Sequence, residues 1–349
     1  MSNLKLSRRQ ALGYAAAAGA TLAFPSVVCA QSLEREKVTI AVGGKPVIYY
    51  LALSMAELLG YFKDEGLDVS IVDFAGGSKA LQAVIGGSAD VVSGAFEHTL
   101  SMHAKRQAFR AFVAQGRTPM IALGVSTKTM ADYSSPADLK GKKIGVSAPG
   151  SSTNIMANLF LTKHGMKPKD VSFVGVGTGV GAVNAMRSGQ IDALASIDPV
   201  VSMLDRSGDM KIIADTRPVQ GTLDLYGGQM PSSCLYAPEK FITANPQVTQ
   251  ALANAIVRAD QWIQKAGPEE IAKTVPEMYL LGDPELYKLS LSKNMEGFSP
   301  DGYFAEDGAA TALAVLSAFM PNFDASKVDI TKTWTNDFAR KANEKYKAG

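Results

Sequence analysis

The sequence predicts an α/β protein built from two similar lobes, each a parallel sheet covered by helices. One reason is that the order strand, helix, strand, helix, strand occurs twice along the chain. Another is a repeated phrase of Gly, two residues and Asp opening a short apolar run, first as Gly87 to Asp90 and then as Gly189 to Asp192. Because element order and spacing both repeat, we interpret the copies as two lobes.

The first copy opens with KVTIAV at 37–42, whose β-branched and apolar residues are typical of a strand. Residues 49–66 carry apolar side chains at helical spacing, and Gly66 is a stop signal. The remaining elements are a strand DVSIVDF at 68–74, a helix SKALQAVIGG at 78–87 and a strand ADVVSGA at 89–95.

The second copy repeats this order at the same spacing, since Val69 to Asp90 spans as many residues as Val171 to Asp192. Its strands and helices alternate as KKIGVSAP at 142–149, NIMANLFLTKHG at 154–165, VSFVGV at 171–176, VGAVNAMRSG at 180–189 and IDALASI at 191–197. We expect Asp90 and Asp192, which open equivalent strands, to be structural.

Two chain crossings should join the lobes as a hinge. The stretch PMIALGVSTK at 119–128 is predicted as a strand leading out of lobe one, and SSCLYAP at 232–238 as a strand leading back. A segment rich in turn residues precedes the return, and helical stretches follow it. We therefore assign residues 36–124 plus 232–349 to lobe one and 125–231 to lobe two.

Residues 1–30 have the pattern of an export signal: a basic start, an Ala/Gly-rich stretch and a small residue, Ala30, at the expected cleavage site. The pair Arg8 and Arg9 favours the twin-arginine route, with an ordinary secretory signal as the alternative. Val28 is too large to precede a lipidated Cys29. The mature protein is therefore expected in the periplasm.

Composition excludes several classes of protein. The formal net charge of +2 becomes about −1 once the signal is removed, which argues against nucleic-acid binding. Beyond the signal no apolar run approaches the roughly 20 residues that a bilayer crossing needs. Cys234 is then the one remaining cysteine, so neither an internal disulfide nor a Cys/His metal site is expected. No cofactor is predicted.

The stretch LSMAELLGYFKDEGLDVSIVDFAGGSKALQAVIGGSADVV at 53–92 closely resembles the solute-binding proteins of ATP-driven importers for sulfonates, taurine and nitrate, and related pyrimidine-precursor binders. The resemblance extends over nearly the whole mature chain and is most specific at 57–92. It implies a type II periplasmic-binding fold that holds a small molecule between the lobes. It also implies a monomer whose partners are an ABC permease and its ATPase.

The loops after the strands are the candidate ligand site, because ligands of open α/β sheets lie beyond the carboxyl ends of the strands. In SAPGSSTN at 147–154, Ser151, Ser152 and Thr153 begin a helix, whose N-terminus favours an oxyanion; a plain N-cap is the alternative. The full set of candidates is Gly44, Lys45, Tyr49, Gly77, Ser78, Phe96, Glu97, His98, Arg117, Ser151, Ser152, Thr153, Thr178 and Asp198.

Charged and aromatic candidates each have a structural alternative. Lys45 and Arg117 could supply positive charge to an acidic ligand, or lie in solvent on the surface. Tyr49 and Phe96, with the neighbouring Tyr50, could form an apolar wall or belong to the core. His98, and the carboxylates among the candidates, could equally hold loop backbone in place.

These features predict a non-enzymatic binding protein that captures a small organic anion by hinge closure. A pyrimidine or another heterocycle is the alternative ligand, and delivery to a sensor or another transporter type stays open. The Gly-x-Gly-x-x-Ala pattern at 177–182, with Asp198 about 20 residues on, leaves an exported NAD(P)-dependent oxidoreductase as a remote alternative. Synthesis of the thiamin pyrimidine is disfavoured because relatives that perform it use a Cys-rich motif.

Overall fold

The structure is a computed structural model that describes residues 32–320 and 322–347. The export signal predicted for residues 1–30 lies outside the described residues. From Leu33 onward the chain forms one compact unit. This unit contains two separate five-stranded sheets with helices packed on them, which confirms the predicted pair of α/β lobes.

The first sheet has the strand order β2-β1-β3-β10-β4. Its strands are β1 (Lys37–Val42), β2 (Asp68–Asp73), β3 (Val91–Ala95), β4 (Phe109–Ala114) and β10 (Ser233–Pro238). The first three pair in parallel, as the βαβαβ pattern predicts, whereas β10 runs antiparallel between β3 and β4. The return strand predicted at 232–238 is therefore confirmed, and it lies inside the sheet rather than at an edge.

The second sheet has the equivalent order, β7-β6-β8-β5-β9. Its strands are β5 (Ile121–Ser126), β6 (Lys143–Val146), β7 (Ser172–Gly175), β8 (Ala193–Ile197) and β9 (Met210–Asp215). Here β6 is parallel to β7 and β8, while β5 is antiparallel to β8 and β9. In each sheet the fourth position is taken by the first strand after a chain crossing, β10 in the first sheet and β5 in the second.

The strand β5 corrects one expectation from the sequence. Residues 119–124 were assigned to lobe one, but β5 forms its ladder with β8 and β9 in the second sheet. Its apolar side chains fit either core, so only the pairing partner fixes its lobe. The two crossings between the sheets therefore run over 115–120 and 216–232.

Thirteen helices of the described residues pack around the sheets. They are α1 (Leu51–Leu58), α2 (Tyr61–Asp64), α3 (Gly77–Ile85), α4 (Glu97–Ala104), α5 (Ser152–Lys163), α6 (Val180–Ser188), α7 (Val200–Arg206), α8 (Val219–Tyr226), α9 (Glu239–Ala244), α10 (Pro246–Thr274), α11 (Pro284–Asn294), α12 (Gly308–Phe319) and α13 (Asp337–Lys345). The predicted helix at 49–66 divides into α1 and α2 at Gly60, whose φ of 77° favours glycine.

The repeated Gly-x-x-Asp phrase has the same structural use in both lobes. Asp90 accepts a hydrogen bond from the Thr39 backbone N–H at 2.8 Å, and Asp192 accepts one from the Lys143 backbone N–H at 2.9 Å. The Asp90 carboxylate therefore ties the start of β3 to β1, and the Asp192 carboxylate ties the start of β8 to β6. This agrees with the structural role predicted for both residues.

The stretch GYFKDEG at 60–66, where the sequence resemblance is most specific, anchors the C-terminal helix. Glu65 accepts hydrogen bonds from Asn254 on α10 at 2.7 Å and from Lys345 on α13 at 2.9 Å. The Arg258 guanidinium lies over the Tyr61 ring, 4.0 Å from its centroid. Cation–π contact and charged hydrogen bonds thus join three distant segments of the chain.

Within the described residues no helix is both long enough and apolar enough to cross a membrane. The same part of the chain holds no group of three or more His, Cys, Asp or Glu side chains that could bind a metal ion. Cys234 is a buried free thiol.

One acidic side chain is buried in the core without a hydrogen-bond partner among the described residues. Asp260 of α10 is 0% exposed, and neither carboxylate oxygen has a hydrogen-bond partner among the described residues. Burial, reinforced by the nearby Asp301, raises its pKa well above the ordinary value. The folded protein therefore retains a proton that the unfolded chain releases near pH 4, and its stability falls as the pH rises above that value.

We expect Asp260→Asn to raise the melting temperature by about 2–4 °C at pH 8, corresponding to ~1 kcal/mol. The amide has nearly the shape of the protonated acid but cannot ionise. The gain should disappear near pH 4, where both side chains are neutral. Thermal unfolding of both proteins across this pH range tests the prediction, and a gain independent of pH would contradict it.

Candidate functional site

The strand-end loops of the two lobes touch each other. The Ser78 backbone N–H at the start of α3 donates to Ser151 Oγ at 3.0 Å, and the Ser78 hydroxyl donates to the Pro149 carbonyl at 2.9 Å. A methyl group added to Gly76 would lie only 3.0 Å from Ala148 Cβ. The predicted loops at 76–78 and 147–154 therefore meet face to face, in a closed arrangement.

Two further contacts extend this junction. A methyl group at Gly44, whose φ is +104°, would lie 2.3 Å from Thr178 Oγ1 of the other lobe. The Ile48 backbone N–H donates to the Asp198 carbonyl at 3.0 Å. Gly44, Gly77, Ser78, Ser151 and Thr178, all predicted as site residues, thus lie along the seam between the lobes.

His98 spans the same seam from lobe one. Its Nε2 lies 3.2 Å from the Gly150 carbonyl oxygen, and its Nδ1 lies 2.9 Å from the Tyr236 hydroxyl. A carbonyl can only accept, so Nε2 carries the hydrogen and Nδ1 accepts from the tyrosine. Burial lowers the His98 pKa to about 4, so the ring is neutral at neutral pH.

Behind the seam lies a group of buried side chains that we call the Glu97 cluster. Its members come from four parts of the chain, and they are Tyr49, Tyr50, Glu97, Tyr226 and Cys234. The rings of Tyr49 and Tyr50 are nearly perpendicular, with centroids 4.8 Å apart. Glu97, the first residue of α4, is 2% exposed.

Burial determines the electrostatics of the Glu97 cluster. Burial raises the pKa of Glu97 to about 7. Burial also raises the pKa values of the three cluster tyrosines and of the Cys234 thiol, and the Glu97 charge adds to each shift. Phenols and thiol therefore stay protonated, and Glu97 is the one cluster member that titrates near physiological pH.

The start of α5 contributes hydroxyl groups in different ways. Ser151 bonds to Ser78, and Thr153 Oγ1 accepts a hydrogen bond from the Ser147 backbone N–H at 3.0 Å. Ser152 lies near Tyr49 and opposes the rise of the phenol pKa that burial causes.

The positively charged candidates are bound elsewhere. The Lys45 ammonium pairs with Glu57 of α1 at 2.5 Å. Arg117 is exposed, and its Nε donates to the Glu296 carbonyl at 2.6 Å in the first crossing region. The structure therefore does not bring either cation to the Glu97 cluster.

Two other candidates have structural partners. Asp198 is fully buried, and its Oδ2 accepts from Arg217 Nη1 at 3.0 Å and from Asn294 Nδ2 at 2.7 Å. Phe96 packs on Phe304 with ring centroids 5.4 Å apart and belongs to the core. Because the Asp198 carboxylate is already paired with Arg217 and Asn294, it is not available to a ribose, which weighs against the dinucleotide alternative.

Sequence reasoning missed four residues that complete this region: Arg217, Tyr226, Cys234 and Asn294. Arg217 and Tyr226 lie in a segment predicted as turns, which instead contains α8. The sequence places Cys234 in a strand, and we considered it there only as a possible disulfide partner or metal ligand. Asn294 closes the α11 helix and reaches Asp198 of the other lobe, a contact for which the sequence carries no signal.

Comparison with known proteins places these features in context. Residues 48–271 match the family model described as NMT1/THI5 like. The protein YtlA of Bacillus subtilis (strain 168) is 24% identical over 85% of this chain and 87% of its own length, and it is named as a binding protein. A 4-amino-5-hydroxymethyl-2-methylpyrimidine phosphate synthase of Aspergillus parasiticus is 24% identical over 87% of this chain and 90% of its own.

Two solved structures are similar over almost the whole fold. A protein of Bordetella bronchiseptica RB50 has 67% sequence identity and a TM-score of 0.90, covering 91% of this chain and 100% of that chain. The alkanesulfonate-binding protein SsuA from Xanthomonas axonopodis pv. citri, bound to MOPS, has 19% identity and a TM-score of 0.69, covering 87% and 100%. The second likeness shows the fold alone, which is the periplasmic binding protein fold.

We expect Ser78→Cys combined with Ser151→Cys to form a disulfide that locks the lobes together. The two hydroxyl oxygens lie 3.2 Å apart, and the bond would close a long loop, adding about 2–4 kcal/mol to the unfolding free energy. Gel mobility without reductant and melting with and without reductant measure both effects. Each single cysteine variant is the control, and a double variant that stays reduced under oxidising conditions would count against the closed contact.

Proposed function

The chain belongs to the NMT1/THI5-like family, and we propose that it is a solute-binding protein that captures one small molecule between its two lobes. The observation that carries the proposal is the seam at 76–78 and 147–151, where loops from both lobes cover the buried Glu97 cluster. Opening of the hinge exposes this cluster to solvent, and closure buries a bound ligand against it.

The position of the cluster agrees with general rules for ligand sites. Strand-end loops of both sheets converge there, where α/β folds bind ligands. The aromatic rings of Tyr49, Tyr50 and Tyr226 offer apolar surface together with hydroxyl groups. His98 and Ser151 link the lobes by hydrogen bonds that form only on closure. Ligand binding and closure are therefore coupled.

We further propose that the protein acts outside the cytoplasm and delivers its ligand to an ABC permease driven by an ATPase. The predicted export signal and the sequence resemblance to importer components support this role. Capture and delivery involve no bond-making step, so the proposed activity is not enzymatic.

The structure favours a different class of ligand from the one that the sequence predicts. The sequence predicts an organic anion, partly because Lys45 and Arg117 could supply positive charge. Both are engaged away from the cluster, whose one ionisable carboxyl is Glu97. An anion would depend on Ser152 and on the N-terminus of α5 alone. A pyrimidine or another heterocycle finds phenol rings and a carboxyl at the same place.

A ligand panel in a thermal melt tests the proposed function. The true ligand binds only folded protein, so at about 100 times its Kd it should add ~2.7 kcal/mol of stability and raise the melting temperature by several degrees. The panel contains sulfonates, taurine, nitrate, aromatic carboxylates, pyrimidines and organic ammonium ions.

The Ser78→Cys/Ser151→Cys protein, oxidised before ligand is added, is the first control, because a locked cleft should not admit the ligand. Lys45→Ala is the second, and we expect it to keep its full thermal shift since the lysine pairs with Glu57. Absence of any shift across the panel, with protein first unfolded and refolded to remove carried-over ligand, would contradict capture of these classes.

A further inference from the structure

Glu97 is a buried carboxyl without a cationic partner. It is 2% exposed, and none of the side-chain hydrogen bonds and ion pairs found among the described residues involves its carboxylate. The equivalent end of lobe two carries Asp198, which is paired with Arg217. An unpaired buried carboxylate is costly, and such groups concentrate at functional sites.

The buried ionisable side chains whose pKa values respond to Glu97, and the adjacent His98, are neutral. The turn at 48–50 contributes Tyr49 and Tyr50, whose phenols stay protonated. From α8, β10 and α4 come Tyr226, the Cys234 thiol and the neutral His98. Burial, with a contribution from the Glu97 charge, also raises the pKa of Tyr236 on β10, so its phenol stays protonated. Lys45 is held by Glu57, so no positive charge from these elements compensates Glu97.

Three tyrosine rings beside one uncompensated carboxyl are the elements of a cation site. The faces of aromatic rings attract organic cations, and this attraction is strongest where water is excluded. The rings of Tyr49 and Tyr50 are nearly perpendicular, so the edge of one ring points toward the face of the other. A carboxylate at the same place adds a charge-assisted contact.

We propose that the ligand of this site is a small organic ammonium ion and that Glu97 is the residue that selects it. The ammonium ion lies against the phenol rings of Tyr49, Tyr50 and Tyr226, and its charge is neutralised by the Glu97 carboxylate. Closure of the lobes then buries a neutral pair rather than an isolated charge. This inference rests on the proposed function, since it names the ligand class of the same site.

The proposed ligand class determines how many protons the protein releases when the ligand binds. The free protein holds a proton on Glu97 below its pKa of about 7, and a bound cation displaces it. Binding therefore releases close to one proton at pH 6 and almost none well above pH 8. The affinity for a cation that does not itself titrate rises about tenfold per pH unit below pH 7 and levels off above it.

The experiment uses tetramethylammonium and choline, whose charge is independent of pH. Calorimetric titration between pH 5.5 and 8.5, in buffers of different ionisation enthalpy, measures both affinity and proton release. We expect binding by one of these ions, weaker binding by its neutral carbon isostere, and one proton released on the acid side. In Glu97→Gln we expect affinity to fall by about 30-fold or more and the pH dependence and proton release to vanish.

A matched control is Glu285→Gln, which removes an exposed carboxylate outside the cluster and should leave affinity and proton release unchanged. Folding of Glu97→Gln is checked by its melting temperature, which should not fall because a buried ionisable group is removed. Equal affinity of Glu97→Gln for the cation, or anions alone raising the melting temperature, would overturn the inference while leaving capture by closure intact. No binding by any ligand class would instead count against the proposed function itself.

Discussion

The close approach of loops from the two lobes is the constraint on which the rest of this structure depends. At Gly76 and Ala148 the two backbones come so near that one added methyl group would already be in tight contact. Only small residues allow Ser78 to reach Ser151 and His98 to reach Gly150. The polar groups buried by closure thereby become each other's hydrogen-bond partners, and the cluster behind them is screened from water.

The charges of the protein are arranged around this seam rather than in it. Lys45 and Glu57 pair at the rim, whereas Asp198 and Arg217 form a buried pair that Asn294 joins from lobe one. Glu97 and its neighbour His98 have pKa values shifted in opposite directions by the same burial, to about 7 and about 4. Both can therefore be neutral in slightly acidic solution, and a low-dielectric site tolerates them.

The repeated sequence pattern accounts for the similar strand contacts of the two lobes but not for the candidate ligand site. Asp90 and Asp192 make the same strand-to-strand contact in the two lobes. The ends of β3 and β8, in contrast, have different uses. Lobe one contributes Glu97 and His98 to the seam, while lobe two contributes a carboxylate already paired with arginine. In the proposed site the carboxyl therefore comes from lobe one, while lobe two contributes Tyr226.

The amino-acid sequence by itself determined the two α/β lobes, the order of strands and helices along the chain and the loops at the strand ends, because hydrophobic periodicity and turn residues are local signals. It also placed Glu97, His98 and Ser151 at strand ends. Only the tertiary structure decided that β5 belongs to the second sheet, that Lys45 pairs with Glu57, and that Tyr226 and Cys234 lie near Glu97. These facts depend on contacts between residues far apart in the chain, which no local pattern encodes, and they set the charge of the site.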